Sequence, residues 1–103
     1  MAKIVAVVSD LMLASRVEES LKAAGHEVSV QSTLPNPVEA DAIVCDLDAA
    51  DPDTIASTGI PSLGFYSHGD IDTKARAQKK GIALVVPRSR MSRELPQLVE
   101  ALL

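Results

Sequence analysis

Aromatic residues are almost missing from this chain. Of its 103 residues only Phe65 and Tyr66 are aromatic, and there is no tryptophan. Sites that bind single-stranded nucleic acid or sugars commonly stack the ligand on aromatic rings, so this composition argues against both functions. The 47% of hydrophobic residues are mainly Ala, Val, Leu and Ile. An aliphatic core of this kind suits helices packed on a β-sheet.

Cysteine is nearly missing as well, and no apolar run is long. Cys45 is the one cysteine, so no disulfide can form within the chain, and a reducing compartment is expected. Its place inside an apolar run indicates a small buried side chain rather than a nucleophile. The apolar residues 4–8 are too few for a signal sequence or a membrane span. We expect a single domain over residues 1–103, cytoplasmic and without membrane attachment.

Five short apolar runs have the composition of β-strands. The first and third contain no polar residue in their interior, which is typical of strands buried on both faces of a parallel sheet. The second alternates polar and apolar residues, as an edge strand does. The predicted strands cover residues 3–8, 26–30, 42–46, 62–66 and 82–86.

Helical periodicity separates these runs. Apolar residues recur every third or fourth position in the first helix, with Ser9 or Asp10 as its N-cap and Gly25 after its last turn. Between the second and third strands, Pro35 and Pro37 leave room for only about one helical turn. The predicted helices cover residues 11–24, that turn at 37–40, a short segment after Asp51, a segment from Asp70 or Asp72 to Lys80, and residues 90–103.

The alternation of strands and helices predicts an α/β fold. Right-handed crossovers would give a three-layer sandwich around a five-stranded parallel sheet, with shortened second and third helices. The flavodoxin-like strand order 2-1-3-4-5 places strands one and three side by side. Asp10 and Asp46, which follow or end these strands, would then meet at one edge of the sheet.

Acidic residues at that edge suit two kinds of chemistry. Carboxylate and carbonyl oxygens from Asp10, Asp46 and Asp48 could bind a hard cation such as Mg²⁺. Without a cation the carboxylates repel one another, and at least one pKa should rise. An aspartate can also act as a nucleophile toward a phosphoryl group. The simpler alternative is that Asp10 only caps a helix and Asp46 only ends a strand.

At these positions the chain resembles the receiver domain of two-component response regulators over nearly its whole length. The resemblance implies a domain that is not an enzyme and whose Asp46 accepts a phosphoryl group from a histidine kinase. It also implies Mg²⁺ held by Asp10, Asp46 and Asp48, with Ser67 and Arg88 contacting the phosphoryl group. The residues that carry the resemblance are Ser9 and Asp10, Asp46, the fourth strand between Pro61 and Ser67, and the end of the fifth strand at Val85–Arg88.

The match to receivers is incomplete. Ser9 stands where a first acid is expected, and Tyr66 takes the Thr/Ser position unless Ser67 reaches it by a slip of one residue. Receivers carry a lysine after the fifth strand that contacts the phosphoryl group, and Pro87 stands at that position here. Arg88 follows it, but a guanidinium does not have the geometry of an ammonium group. The resemblance therefore implies a pseudo-receiver that binds a protein partner, with weak or absent phosphorylation. A competent phospho-acceptor in a phosphorelay and an unrelated flavodoxin-like binding domain remain as alternatives.

Charge is distributed unevenly along the chain. Up to Asp53 there are three basic and ten acidic residues, and after it seven basic and four acidic residues. In receivers the region of these basic residues contacts dimer partners and output proteins, so a protein partner or a homodimer is predicted there. A solvated face is the alternative, and nucleic acid is disfavoured because no recognition-helix motif is present. The basic residues are Lys74, Arg76, Lys79, Lys80, Arg88, Arg90 and Arg93.

The histidines and the loop after the first strand argue against zinc, nucleotide and flavin sites. His26 and His68 have no partner at metal-ligand spacing, and both are expected to face solvent. No glycine-rich loop follows the first strand, so a nucleotide or flavin site is disfavoured.

Overall fold

The computed structural model describes residues 2–35, 37–48, 50–66 and 71–103. Five parallel strands form one sheet in the order β2-β1-β3-β4-β5. The predicted α/β class and strand order are therefore confirmed. The elements along the chain are β1 (Lys3–Val7), α1 (Leu11–Ala23), β2 (Glu27–Gln31), β3 (Ala42–Asp46), α2 (Pro52–Ala56), β4 (Ser62–Tyr66), α3 (Ile71–Lys80), β5 (Leu84–Pro87) and α4 (Arg88–Leu102).

Both faces of the central strands are buried. Because side chains alternate along a strand, Ile4 and Ala6 of β1 pack on one face with α1 and α4. Val5 and Val7 pack on the other face with α2 and α3. Residues 42–45 of β3 are fully buried. This two-sided burial explains why these strands have continuous apolar sequences.

The first helix begins and ends as its sequence predicts. Asp10 is the N-cap of α1, and Gly25 adopts φ +93° just after the helix. A left-handed residue at that point favours glycine because a Cβ would be strained. The described part of the chain contains no helix with the length and apolarity that a membrane crossing requires.

The predicted helical turn at residues 37–40 is not formed. The described residues between β2 and β3 contain no helix, so the second helix is lost rather than shortened. Four residues form about one helical turn, whose nucleation is unfavourable unless tertiary packing stabilises it. Instead, Leu34 and Val38 pack their side chains against the core on the α2 side of the sheet. The helix after β3 is short, as predicted, with five residues.

The last strand and helix begin at other residues than predicted. The strand β5 starts at Leu84 and includes Pro87, which an edge strand tolerates. Ile82 precedes the strand because its N–H donates to the carbonyl of Ala77, at the end of α3. Helix α4 starts at Arg88 and has a kink at Glu94 (φ −122°, ψ 17°). The kink is explained by Pro96, which lacks an N–H and clashes with the preceding turn.

Candidate functional site

The carboxyl edge of the two central strands brings Asp10 and Asp46 to the same place. Val7 at the end of β1 lies opposite Cys45 of β3, and Asp46 is the next and last residue of β3. Asp10 follows β1 by three residues and starts α1. The charge of Asp10 acts on Asp46. The sequence expectation that both carboxylates reach one edge of the sheet is therefore met.

Both carboxylate oxygens of Asp10 are engaged within the protein. Its Oδ1 accepts hydrogen bonds from the backbone N–H groups of Met12 at 3.0 Å and Leu13 at 3.1 Å. Its Oδ2 lies 3.6 Å from Nη2 of Arg88, and both side chains are about half exposed, at 47% and 49%. An exposed ion pair of this kind contributes only about 0–1 kcal/mol. The pair matters because it places the positive charge of Arg88 beside Asp10 and within reach of Asp46.

Asp46 is less exposed to solvent than Asp10. Its Oδ1 accepts a hydrogen bond of 3.0 Å from the N–H of Asp48. Partial burial is the main cause that raises the pKa of Asp46, and the charges of Asp48 and Asp10 add to it. The Asp48 N–H bond and the Arg88 guanidinium act in the opposite direction without cancelling the effect. Asp46 is thus a carboxylate whose ionised form the fold disfavours.

The raised pKa of Asp46 predicts a pH-dependent stability. The folded protein binds this proton more tightly than the unfolded chain, so the stabilisation is complete below the ordinary aspartate pKa and is lost as pH rises through the folded-state pKa. We expect Asp46→Asn to unfold at a higher urea concentration than the wild type at neutral pH, with a gain that disappears in acid. Equilibrium urea unfolding at several pH values measures this.

Glu19→Gln is the control for that experiment, because Glu19 is an exposed carboxylate on α1. It should show no comparable gain at neutral pH. An Asp46→Asn protein less stable than the wild type at neutral pH would contradict the assigned effect of burial.

Arg88 enters the site because of the residue before it. Pro87 is the N-cap of α4, with an extended conformation (φ −68°, ψ 152°), and makes Arg88 the first residue of the helix. Pro87 itself lies opposite Tyr66 in the sheet, and Tyr66 is buried. Ser67, the predicted hydroxyl contact, lies outside the described residues. The structure therefore places one of the two predicted phosphoryl contacts, Arg88, beside the acids.

These acids do not fit a divalent cation as they are arranged. Within the described part of the chain, no three His, Cys, Asp or Glu residues are grouped closely enough to hold a metal ion. Asp10 already accepts from two N–H groups through Oδ1, and its Oδ2 lies 3.6 Å from the guanidinium of Arg88. Asp48 is exposed. Of the predicted ligands, Asp10 and Asp46 share this edge of the sheet, and Mg²⁺ binding by them and Asp48 stays a prediction.

Cys45, next to Asp46, takes no part in this chemistry. Burial, with a contribution from the Asp46 charge, raises the pKa of its thiol to about 12. A thiol that stays protonated is not a nucleophile. The expectation that Cys45 behaves as a small apolar residue is thus met.

The prediction that His26 faces solvent was wrong. Its side chain is buried, 8% exposed for the whole residue, and Nδ1 accepts a 3.2 Å hydrogen bond from the N–H of Ala2. The turn at Gly25 brings it below the amino edge of the sheet, away from Asp46. His68 lies outside the described residues.

Solved structures of receivers are similar to this chain. The receiver domain of the Francisella response regulator 1452 has a TM-score of 0.84 at 17% identity, covering 99% of this chain and 96% of that one. A putative response regulator from Chloroflexus aurantiacus has a TM-score of 0.82 at 22% identity, covering 98% and 96%. NtrX from Brucella abortus has a TM-score of 0.85 at 18% identity, and the match covers 98% of this chain but 26% of NtrX.

Sequence comparison adds nothing to this likeness, because no family model and no curated protein matches the chain. At identities of 17–22%, the structural likeness establishes the fold and leaves the function to the chemistry of the site. The order of the five strands and the position of Asp46 at the carboxyl edge agree with it. The protein has the fold of response regulator receiver domains.

Proposed function

We propose that this protein is a pseudo-receiver, a cytoplasmic signalling module that binds a protein partner and whose Asp46 is phosphorylated weakly or not at all. The observation that carries the proposal is the ion pair between Arg88 and Asp10, at 3.6 Å. The carboxylate expected to hold a cation faces the protein's own guanidinium instead. This arrangement favours a module that acts by binding a partner rather than by accepting a phosphoryl group.

Two neighbouring residues support the same conclusion. Ser9 supplies no second negative charge, and it lies exposed directly before Asp10. Pro87 lies opposite Tyr66, at the position where receivers carry a lysine, and it offers no cation to phosphoryl oxygens. Loss of one preorganised charge or hydrogen-bond donor typically slows a reaction by about 10²–10³-fold.

The proposed partner surface is the basic face formed by α3, the end of β5 and the start of α4. Arg76 and Lys79 on α3 and Arg93 on α4 are exposed. Internal pairs already use other members of this face: Lys80 contacts Asp53 at 3.2 Å, and Arg90 contacts Glu94 at 3.3 Å. The exposed cations favour an acidic protein surface as the partner, because complementary charge steers association.

The test is phosphorylation by a small donor. The protein is incubated with Mg²⁺ and acetyl phosphate, and its intact mass is measured beside that of Asp46→Asn and of a competent receiver domain. We expect the wild type to gain no more mass than the Asp46→Asn variant, while the competent receiver gains one phosphoryl group. Circular dichroism establishes that the variant is folded.

A mass gain in the wild type that Asp46→Asn abolishes would contradict the proposal. The protein would then be a phospho-acceptor in a phosphorelay with a histidine kinase, using Asp46, Ser67 and Arg88. Asp10 and Asp48 would in that case be the residues to examine for Mg²⁺ binding.

A further inference from the structure

A buried histidine at the amino edge of the sheet has one ring nitrogen without a partner. The side chain of His26 is 4% exposed. Among the described residues, its Nε2 is the buried side-chain nitrogen or oxygen that lacks a hydrogen bond. His26 lines an open hollow of about 530 Å³ together with Ala2, Asp41, Pro61 and the end of α4. Because folded proteins rarely leave such a group unsatisfied, this nitrogen needs an explanation.

The other ring nitrogen determines where the proton of the neutral ring lies. Nδ1 of His26 accepts a hydrogen bond of 3.2 Å from the backbone N–H of Ala2. A ring nitrogen that accepts a hydrogen bond carries no proton, so the neutral imidazole has its proton on Nε2. Oε1 of Glu100 lies 3.7 Å from Nε2, which is too far for a hydrogen bond. The neutral ring therefore satisfies Ala2 and leaves its own N–H unpaired.

The two ring nitrogens face different parts of the chain. Ala2 precedes β1, and its carbonyl accepts a 2.9 Å hydrogen bond from the N–H of Glu27 at the start of β2. Glu100 lies in the last turn of α4, and its side chain is 67% exposed. The open hollow gives this carboxylate room to approach the ring. His26 thus lies between the start of the first strand and the end of the last helix.

Protonation of the ring exchanges one of these contacts for the other. An imidazolium carries a proton on each nitrogen and cannot accept a hydrogen bond, so the bond from the Ala2 N–H is lost. The ring also gains a positive charge 3.7 Å from the Glu100 carboxylate. A hydrogen bond between charged groups is stronger than one from the neutral ring. Histidine is the side chain that ordinarily changes charge between about pH 5 and 8.

The other charged groups at this edge have different surroundings. Asp41 lines the same hollow, but its Oδ2 accepts a 2.8 Å hydrogen bond from the backbone N–H of Lys3. Among the described residues, Glu100 is the acid that makes the ion contact with the imidazole. The exposed charged residues next to this edge on β1, β2 and α1 are Lys3, Glu27 and Lys22.

We propose that His26 is a pH switch at the amino edge of the sheet. Its neutral ring holds the N–H of Ala2, and its protonated ring releases Ala2 and binds Glu100. Acidification therefore loosens the start of β1 and fastens the last turn of α4. The switch lies at the opposite edge from Asp46 and does not rest on the proposed function, so either proposal can fail while the other holds.

Nuclear magnetic resonance tests the switch on the full chain with a short N-terminal tag, which keeps the Ala2 nitrogen an amide. Spectra are recorded at about pH 5.5 and about pH 8, on either side of the ordinary histidine titration. Loss of signals in His26→Asn distinguishes His26 from the second histidine, His68. At the higher pH, the ring nitrogen shifts should show the proton on Nε2.

At the lower pH, both ring nitrogens of His26 should carry a proton. The protection of the Ala2 N–H against hydrogen exchange should then fall by about tenfold, the effect of losing one ordinary hydrogen bond. In His26→Asn the side-chain oxygen accepts near the place of Nδ1 and does not titrate, so Ala2 protection should be the same at both pH values.

Glu100→Ala tests the other contact of the switch. It should expose the protonated Nε2–H of His26 to faster exchange with solvent at the lower pH. Glu19→Ala is the matched control, because Glu19 is also an exposed glutamate in a helix, and it should leave that exchange unchanged. Circular dichroism establishes that each variant folds.

Three wild-type results would each overturn the proposal, so it stays testable even if a substitution at the buried histidine unfolds the chain. The first is a proton on Nδ1 at the higher pH. The second is a ring that is still neutral at the lower pH. The third is a protonated ring with unchanged protection of the Ala2 N–H. Exchange of Nε2–H that Glu100→Ala leaves unchanged would overturn it as well.

Discussion

Replacing Ser9 with Asp, Pro87 with Lys and Arg88 with Pro is expected to turn Asp46 into an efficient phosphoryl acceptor. The first change adds the missing acid beside Asp10. The other two supply an ammonium group at the end of β5 and remove the guanidinium that lies 3.6 Å from Asp10. Proline at residue 88 is compatible with the fold because Arg88 is the first residue of α4, a position that proline favours.

The expected gain in the rate of phosphorylation is about 10²–10³-fold, the range for one preorganised electrostatic contact. It is measured as the increase of intact mass with time in acetyl phosphate and Mg²⁺. Asp46→Asn in the triple variant must abolish the gain, and Ser9→Asp alone serves as the matched partial variant. A folded triple variant that forms no adduct would contradict the explanation by missing charges. Tyr66 would then be the next residue to replace.

The second large effect is on stability, and it compares two leucines of one helix. Leu21 of α1 is fully buried, whereas Leu11 of the same helix is 85% exposed. Leu21→Ala should lower the free energy of unfolding by about 2–5 kcal/mol, because it removes buried methyl groups and leaves a cavity. Leu11→Ala should change it by no more than about 0.5 kcal/mol.

Urea unfolding of both variants beside the wild type measures this difference, and the slope of each transition shows whether unfolding stays two-state. Similar costs for the two substitutions would mean that α1 does not present Leu21 to the sheet. In that case the orientation of Leu11 and Met12 on the same helix would also be wrong.

Residues whose surroundings are local in sequence were the most predictable. The N-cap Asp10, the left-handed Gly25 and the N-cap Asp51 each follow from contacts within a few residues. The continuous apolar run before Asp46 predicted a strand buried on both faces, because such a strand needs no polar alternation. A glycine in the middle of the fourth strand predicts a close approach, and a Cβ at Gly64 would lie 2.9 Å from Leu47.

Features that depend on distant residues were not predictable in the same way. The Arg88 partner is Asp10, 78 positions earlier in the printed sequence, and no periodicity reports such a pairing. His26 was expected to face solvent, but its Nδ1 accepts a hydrogen bond from Ala2, 24 positions earlier, and no local pattern shows this contact. The segment between β2 and β3 has two prolines, but only packing shows that Leu34 and Val38 replace a helix against the core.

By itself, then, the sequence determined the alternation of strands and helices and the cap of the first helix, since these follow from side-chain periodicity and local hydrogen bonding. The order of the five strands was predicted by choosing the common flavodoxin-like arrangement. Tertiary structure alone decided which charge lies beside Asp10 and how the segment between β2 and β3 packs on the sheet. Those outcomes depend on three-dimensional neighbours: a guanidinium from the last helix reaches the first, and Leu34 and Val38 pack against the core where no helix forms.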